Sequence, residues 1–273
     1  MKGESPMNSS WNRTLRLAGW NWYICRKPLA VILGLATVAE AVLVLWQSSR
    51  EANSTARYPA VFLGSLCPVV FVAAYLAALA VSLRALAQLS GKTRAGYTLL
   101  TLDLSRSQIY LGQVAASAMV LLVVMAWQVL TAAILYWPAT AIRVQVAARS
   151  LPFPVTGAGG FWNAMAENFL LRLLLPVTGR GFLAWLLFLL GPAVLAHGIL
   201  LHRGARRVLA ICVALAGAVC CLVLAVMVLY CQAALDDVVR AQRAFRSAAL
   251  ILMALMAFSA ASCVHALKRA EAV

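Results

Sequence analysis

The sequence predicts an all-α polytopic membrane protein with six transmembrane helices and both termini on the cytosolic side. Three observations point there. Of the 273 residues, 64% are hydrophobic and 11% are charged, against about 25% charged in ordinary soluble domains; a chain this apolar cannot bury its surface in one soluble core. The apolar residues fall in long runs separated by short polar loops. The formal charge is +15, and the basic residues gather at the ends of the runs, where they face anionic lipid. That placement accounts for the charge without nucleic acid, and no nucleic-acid partner is expected.

Residues 1–27 precede the first run. Trp11, Leu15, Ala18 and Trp22 recur at helical spacing, with Arg13 and Arg16 turned away from them. This is the pattern of a basic, Trp-rich interfacial helix; a plain solvated helix is the blander alternative. The first span is residues 28–46, with Pro28 in the first turn, where a missing N–H costs nothing. Nineteen residues cover about 28 Å, close to the thickness of the hydrocarbon layer. Glu40 lies inside it and is the one acidic residue within a predicted span. Intramembrane carboxylates are costly and mark candidate functional sites, so Glu40 is a candidate for the substrate path or a gate, against a bland packing role.

The second span is residues 60–83, entered through Pro59 with Pro68 in its early turns. The third is residues 114–137, closed by Pro138. The longest connection, residues 139–181, carries Pro152, Pro154, Gly157, Gly159 and Gly160. An amphipathic piece follows at 161–175, expected to lie on the membrane or partly re-enter it. Full insertion would place Glu167 and Arg172 in hydrocarbon, at about 2.5–3.5 kcal/mol each. The fourth span is residues 182–201, with a kink expected at Pro192. The fifth is residues 208–230 and the sixth residues 248–267. A six-residue tail, 268–273, completes the chain.

With the N-terminus inside, fourteen Lys and Arg fall on the cytosolic side and nine outside, together the 23 of the chain. The bias has the sign of the positive-inside rule and is strongest at the N-terminus and in the tight loop holding Arg203, Arg206 and Arg207. No cleavable signal peptide is expected, and residues 28–267 read as a single membrane domain without internal repeats. The seven cysteines form no C-x-x-C pair and mostly behave as small hydrophobes. Whether Cys67 and Cys231 pair stays open at this level. His197, His202 and His265 lack metal-ligand spacing, and small residues in the last two spans (Ala214, Gly217, Ala218, Ala257, Ala260, Ala261) suit close helix contact.

Residues 90–113 interrupt this apolar pattern. Thr93 can cap a short cytosolic helix bearing Tyr97, Leu100 and Leu104 on one stripe. Ser105-Arg106-Ser107-Gln108 then spells a capping box, with Leu104 and Ile109 at the spacing of a hydrophobic staple. The chain therefore turns at 103–105, and the third helix starts before the membrane does. Gly91-Lys92-Thr93 has the look of a P-loop, but the required earlier glycine is replaced by Leu86 and no strand precedes it. No nucleotide site and no other cofactor site is expected in this chain.

The run GYTLLTLDLSRSQIYLGQ resembles the cytosolic loop between the second and third spans of type-2 ABC exporter permeases, which often reads YTL-x-TLP-x-SR-x-x-I-Y-x-x-K. Tyr97, Thr98, Leu99, Thr101, Leu102, Ser105, Arg106, Ile109 and Tyr110 match; Asp103 stands where Pro is common and Gln113 where Lys is common. The resemblance implies that residues 94–102 form a cytosolic coupling helix. Tyr97, Leu99, Leu100, Leu102, Asp103 and Arg106 would dock on a separate ATP-binding subunit, which holds ATP and Mg. It also implies a second permease copy or a sister permease, an amphipathic substrate (peptide, drug or lipid-like), and a bacterial cell membrane. The chain would then be a transporter subunit and not an enzyme. A membrane scaffold or sensor is the alternative, and an intramembrane enzyme, lacking any paired-carboxylate or metal motif, a weaker one.

Overall fold

The computed structural model describes residues 6–90, 105–150, 160–176, 178–202, 205–230 and 238–269. The described residues form α1 (Pro6–Ser48), α2 (Tyr58–Gly64), α3 (Cys67–Ser90), α4 (Arg106–Ser150), α5 (Phe161–Glu167), α6 (Phe169–Leu174), α7 (Gly179–Leu201), α8 (Ala205–Tyr230) and α9 (Val238–Arg269), with one 3-10 turn at Glu51–Asn53 and no strand among them. Among the described residues, six segments are long and apolar enough to cross a membrane: Thr14–Ser48, Cys67–Arg84, Ser107–Arg149, Gly179–Ile199, Ala205–Val226 and Arg243–Ala266. The shortest, of 18 residues, covers about 27 Å, so each can bridge the hydrocarbon layer.

The two faces of α1 identify its solvent. Leu29, Leu33, Glu40, Val44 and Ser48 are buried, while Val31, Leu35, Val38, Val42 and Trp46 are exposed, each 57–67%. An exposed stripe made only of large apolar side chains at helical spacing would be an aggregation surface in water; in lipid it is the expected outer face. The exposed Val208, Leu215, Val219 and Leu222 of α8 repeat the pattern.

The helix bounds depart from the sequence reading mainly at prolines. α1 runs unbroken from Pro6 through Pro28, so no helix end separates residues 6–27 from the first span. α4 continues past Pro138 to Ser150, while α7 passes through Pro192, as the span 182–201 requires. A proline removes one ladder bond, whereas ending a helix strands several backbone groups, and lipid offers them no partner. The second segment does break, but at Pro68 instead of starting at Pro59. The Pro68 ring would collide with the carbonyl four residues back, that of Gly64, and α2 ends at Gly64. Leu66 takes a left-handed conformation (φ 63°), and its carbonyl accepts from the amides of Val69 and Val70 at 2.9 and 3.2 Å. The Ser65 hydroxyl donates to the Phe62 carbonyl at 2.7 Å. The span then starts at Cys67, with Pro68 in its first turn.

The chain divides into two compact units. One comprises Met1–Leu29, Ala78–Leu122 and Arg180–Val273; the other comprises Ala30–Ala77 and Val123–Gly179. In the first unit, Thr14, Leu17, Ala18, Asn21 and Cys25 form the buried face of α1. Of the stripe picked out by periodicity, Ala18 is on this buried face, Leu15 is 51% exposed and Trp22 is half-buried. Gly112 of α4 lets the two helices meet: a Cβ there would lie 3.2 Å from the Leu17 side chain and 3.3 Å from the Thr14 carbonyl oxygen. Ala184, Leu187, Leu195, Leu224, Phe245, Ala248, Ala249 and Leu252 form the core of α7, α8 and α9. Gly217 is buried there, and its missing side chain leaves room for Leu195. Ala218, Ala257 and Ala261 are exposed.

The close approach at Gly112 is testable. Gly112→Leu should destabilise the protein by about 1–3 kcal/mol through overpacking, lowering the melting temperature in detergent. Gly19→Leu, at a position with no atom within 4 Å of a built Cβ, should leave it unchanged.

Candidate functional site

Two places in the chain carry the candidate residues: the start of α4, in the first unit, and the surroundings of Glu40, in the second. Of the expected docking residues, Tyr97, Leu99, Leu100, Leu102 and Asp103 lie outside the described residues, as do Leu104 of the staple and Cys231. Arg106 is the first residue of α4.

The capping box forms. The Ser105 amide donates to Gln108 Oε1 at 3.0 Å, and the Gln108 amide points back at Ser105 Oγ across a longer 3.4 Å. The Ser105 carbonyl accepts from the Ile109 amide at 3.1 Å, the first full turn of the helix. Such a cap contributes about 1 kcal/mol and defines where α4 begins. One turn in, Ile109, Tyr110 and Gln113 are buried. The Tyr110 ring meets the His197 ring edge-on, with centroids 6.0 Å apart, and its hydroxyl lies beside the Cys263 thiol. His197 Nδ1 bonds to the Ala193 carbonyl; a carbonyl only accepts, so Nδ1 carries the hydrogen. The helix start is thus held by its own cap and by side chains of α7 and α9.

Glu40 is 1% exposed. Gln128 of α4, itself buried, donates through Nε2 to Glu40 Oε2 at 3.0 Å. The other carboxyl oxygen, Oε1, is buried and has no hydrogen-bond partner among the described residues. One turn earlier on α1, Thr37 Oγ1 accepts from the Trp127 indole at 2.8 Å and donates to the Leu33 carbonyl at 2.8 Å. Consecutive residues of α4, Trp127 and Gln128, thereby bond to α1 at successive turns. The periodicity of α1 builds this arrangement: Leu33, Thr37, Glu40 and Val44 recur at i, i+4, i+7 and i+11, along one face.

The same unit holds a second polar cluster, between α2, α4 and α5. The buried Tyr58 hydroxyl donates to the Ala132 carbonyl at 2.7 Å; burial pushes its phenol above the usual range, which keeps it a donor. The Arg143 guanidinium is buried, bonded to the Ala56 carbonyl and to Thr140 Oγ1 at 3.2 Å. Phe161 stacks on Trp137, with centroids 6.0 Å apart, and meets Tyr136 edge-on at 5.3 Å.

The amphipathic piece 161–175 is therefore two short helices, broken at Asn168. The Asn168 Oδ1 accepts from the Leu170 and Leu171 amides at 3.0 and 3.4 Å and caps α6. Glu167 pairs with Arg57 at 3.0 Å. Both side chains are exposed, so the pair contributes little to stability.

The sequence singles out Glu40 but neither Gln128, its partner, nor Tyr58 and Arg143. An amide inside an apolar run is a usable signal, because a buried amide in lipid needs a partner. Arg143 is hidden from a sequence reading that ends the span at Pro138.

Comparison of the chain with family models, curated proteins and solved structures finds no match. The function must therefore be argued from the residues and their geometry.

The Glu40–Gln128 bond predicts a pattern of stabilities. Gln128→Leu leaves both Glu40 oxygens buried without a partner and should cost about 1–3 kcal/mol. The double variant Glu40→Leu/Gln128→Leu, which removes both partners, should recover most of that loss. Melting temperatures of the two variants in the same detergent check it.

Proposed function

We propose that the chain is the membrane permease subunit of an ATP-binding cassette exporter, with the loop 90–113 docking on a separate ATP-binding subunit. The reading combines the YTL-x-TL…SR-x-x-I-Y pattern of that loop with one structural observation. α4 runs without interruption from the capped Ser105, at the end of the loop, to Gln128, which holds Glu40. Twenty residues of the same helix separate Gln108 from Gln128.

A capped helix that is packed from Ile109 and Tyr110 onward is stiff along its axis. Displacement of the loop by a partner would then be carried along α4 instead of being absorbed at a frayed end. At the other end of that path, Glu40 Oε1 is an acceptor inside a bilayer-spanning segment. Breaking or remaking the Gln128 bond is the local change by which movement of α4 would alter a polar point on the path. In this reading ATP and Mg act on the partner, and two permease units enclose the path for an amphipathic substrate. The N-in, C-in orientation belongs to the same proposal and is supported by the distribution of Lys and Arg.

The docking assignment predicts that Leu100→Glu and Leu102→Glu release an ATP-binding subunit that co-purifies with the wild-type chain. An intact complex in both variants would contradict it. Glu40→Ala should leave that complex intact and lower export on the order of tenfold, the size of a typical coupling free energy; unchanged export would remove Glu40 from the path.

A further inference from the structure

At one end of the α7–α8–α9 bundle a cleft of about 220 Å³ opens among the three helices. Its polar lining comes from separate elements: His202 just after α7, Arg206 in the first turn of α8, and Ser262 and His265 on α9. His202 is held in place from both sides. Its Nδ1 donates to the Gly198 carbonyl at 2.7 Å, and its Nε2 faces Ser262 Oγ at 3.2 Å. Among the described residues, Arg206 and His265 have no ion-pair partner and no Asp or Glu lines the cleft.

The position of Arg206 is electrostatically unfavourable on its own. The first turn of a helix carries the positive end of its dipole, which favours anions and disfavours cations. α8 has no acidic residue in its first turn but two arginines, Arg206 and Arg207. An anion held at the cleft would satisfy both the dipole and Arg206, the one of the two that lines it. The remaining wall is apolar and opens outward: Leu209 and Phe258 line the cleft and are each 53% exposed. A basic pocket continuous with an exposed apolar wall, at the end of membrane-spanning helices, matches a ligand that is phosphate at one end and hydrocarbon at the other.

We propose that this cleft binds the phosphate headgroup of an anionic phospholipid, with Arg206 as the charged contact, His265 as a hydrogen-bond donor, and Leu209 and Phe258 against the acyl chains. The site stands on the α7–α9 geometry and does not depend on the transport reading.

The test uses the full-length chain, purified in detergent and stripped of lipid, with retention measured by native mass spectrometry. Dioleoyl phosphatidylglycerol and dioleoyl phosphatidylcholine are the probes. Phosphatidylglycerol should be retained and phosphatidylcholine not. Arg206→Ala should weaken retention about five-fold, the effect expected of one basic group near an anionic headgroup, and His265→Ala should weaken it less. Arg206→Gln, which keeps a polar chain of similar length, should weaken it as much as Arg206→Ala, and Arg84→Ala, an exposed base on α3, not at all. Equal retention of the two lipids would overturn the proposal, as would wild-type retention by Arg206→Ala/His265→Ala. Full displacement of the lipid by millimolar glycerol phosphate would assign the cleft to a soluble phosphate compound instead, and would equally overturn it.

Discussion

Backbone satisfaction in lipid is the constraint on which this structure depends. With no water in the hydrocarbon layer, each N–H and C=O must be paired within its own helix. The long helices obey this even where the sequence argues against continuity. Pro28, Pro138 and Pro192 each remove one bond, yet α1, α4 and α7 pass through them. The exception at Pro68 follows the same rule, because the freed groups around Ser65 and Leu66 find partners on the spot. α4 owes its length to this constraint, and the proposed coupling needs α4 to be long.

The cap at Ser105 and the burial of Ile109 and Tyr110 give that helix a defined beginning. The Gln128–Glu40 bond gives it a polar contact well inside the membrane-spanning segment. A buried carboxyl bonded through one oxygen is an expensive feature, and a sequence free to choose would fill the position with Leu or Val. Its cost is lowered by the partner on α4, so its environment is tied to the one helix that starts at the loop. Tyr58, Arg143 and the Phe161–Trp137 stack form a separate arrangement that fastens α2 and α5 to the far part of α4.

Much of this is legible in the residues. The six apolar runs, the capping box and the singular position of Glu40 all come from composition, spacing and side-chain chemistry, which are local properties. The features that escape the sequence are non-local or competitive. Proline reads as a terminator because its local effect is clear, while the cost of ending a helix in lipid depends on its surroundings. The packed face of α1 is hard to see because Thr14 and Asn21, polar by type, lie on it, while the apolar Leu15 and Trp22 mark the other side. In a membrane the usual inside–outside rule loses its contrast, since apolar residues are at home on both faces. The role of Gln128 requires α4 to lie beside α1, which no periodicity in either helix supplies.

The central claim is that the loop preceding α4 contacts an ATP-binding subunit. The most direct measurement places a photo-crosslinking amino acid at position 100, in cells expressing the full chain, and identifies the adducts by mass spectrometry. Docking of the loop predicts a covalent adduct with an ABC ATP-binding protein, absent when the same probe replaces the exposed Val38 of α1. Labelling of lipid alone from position 100, or the same adducts from both positions, would contradict it.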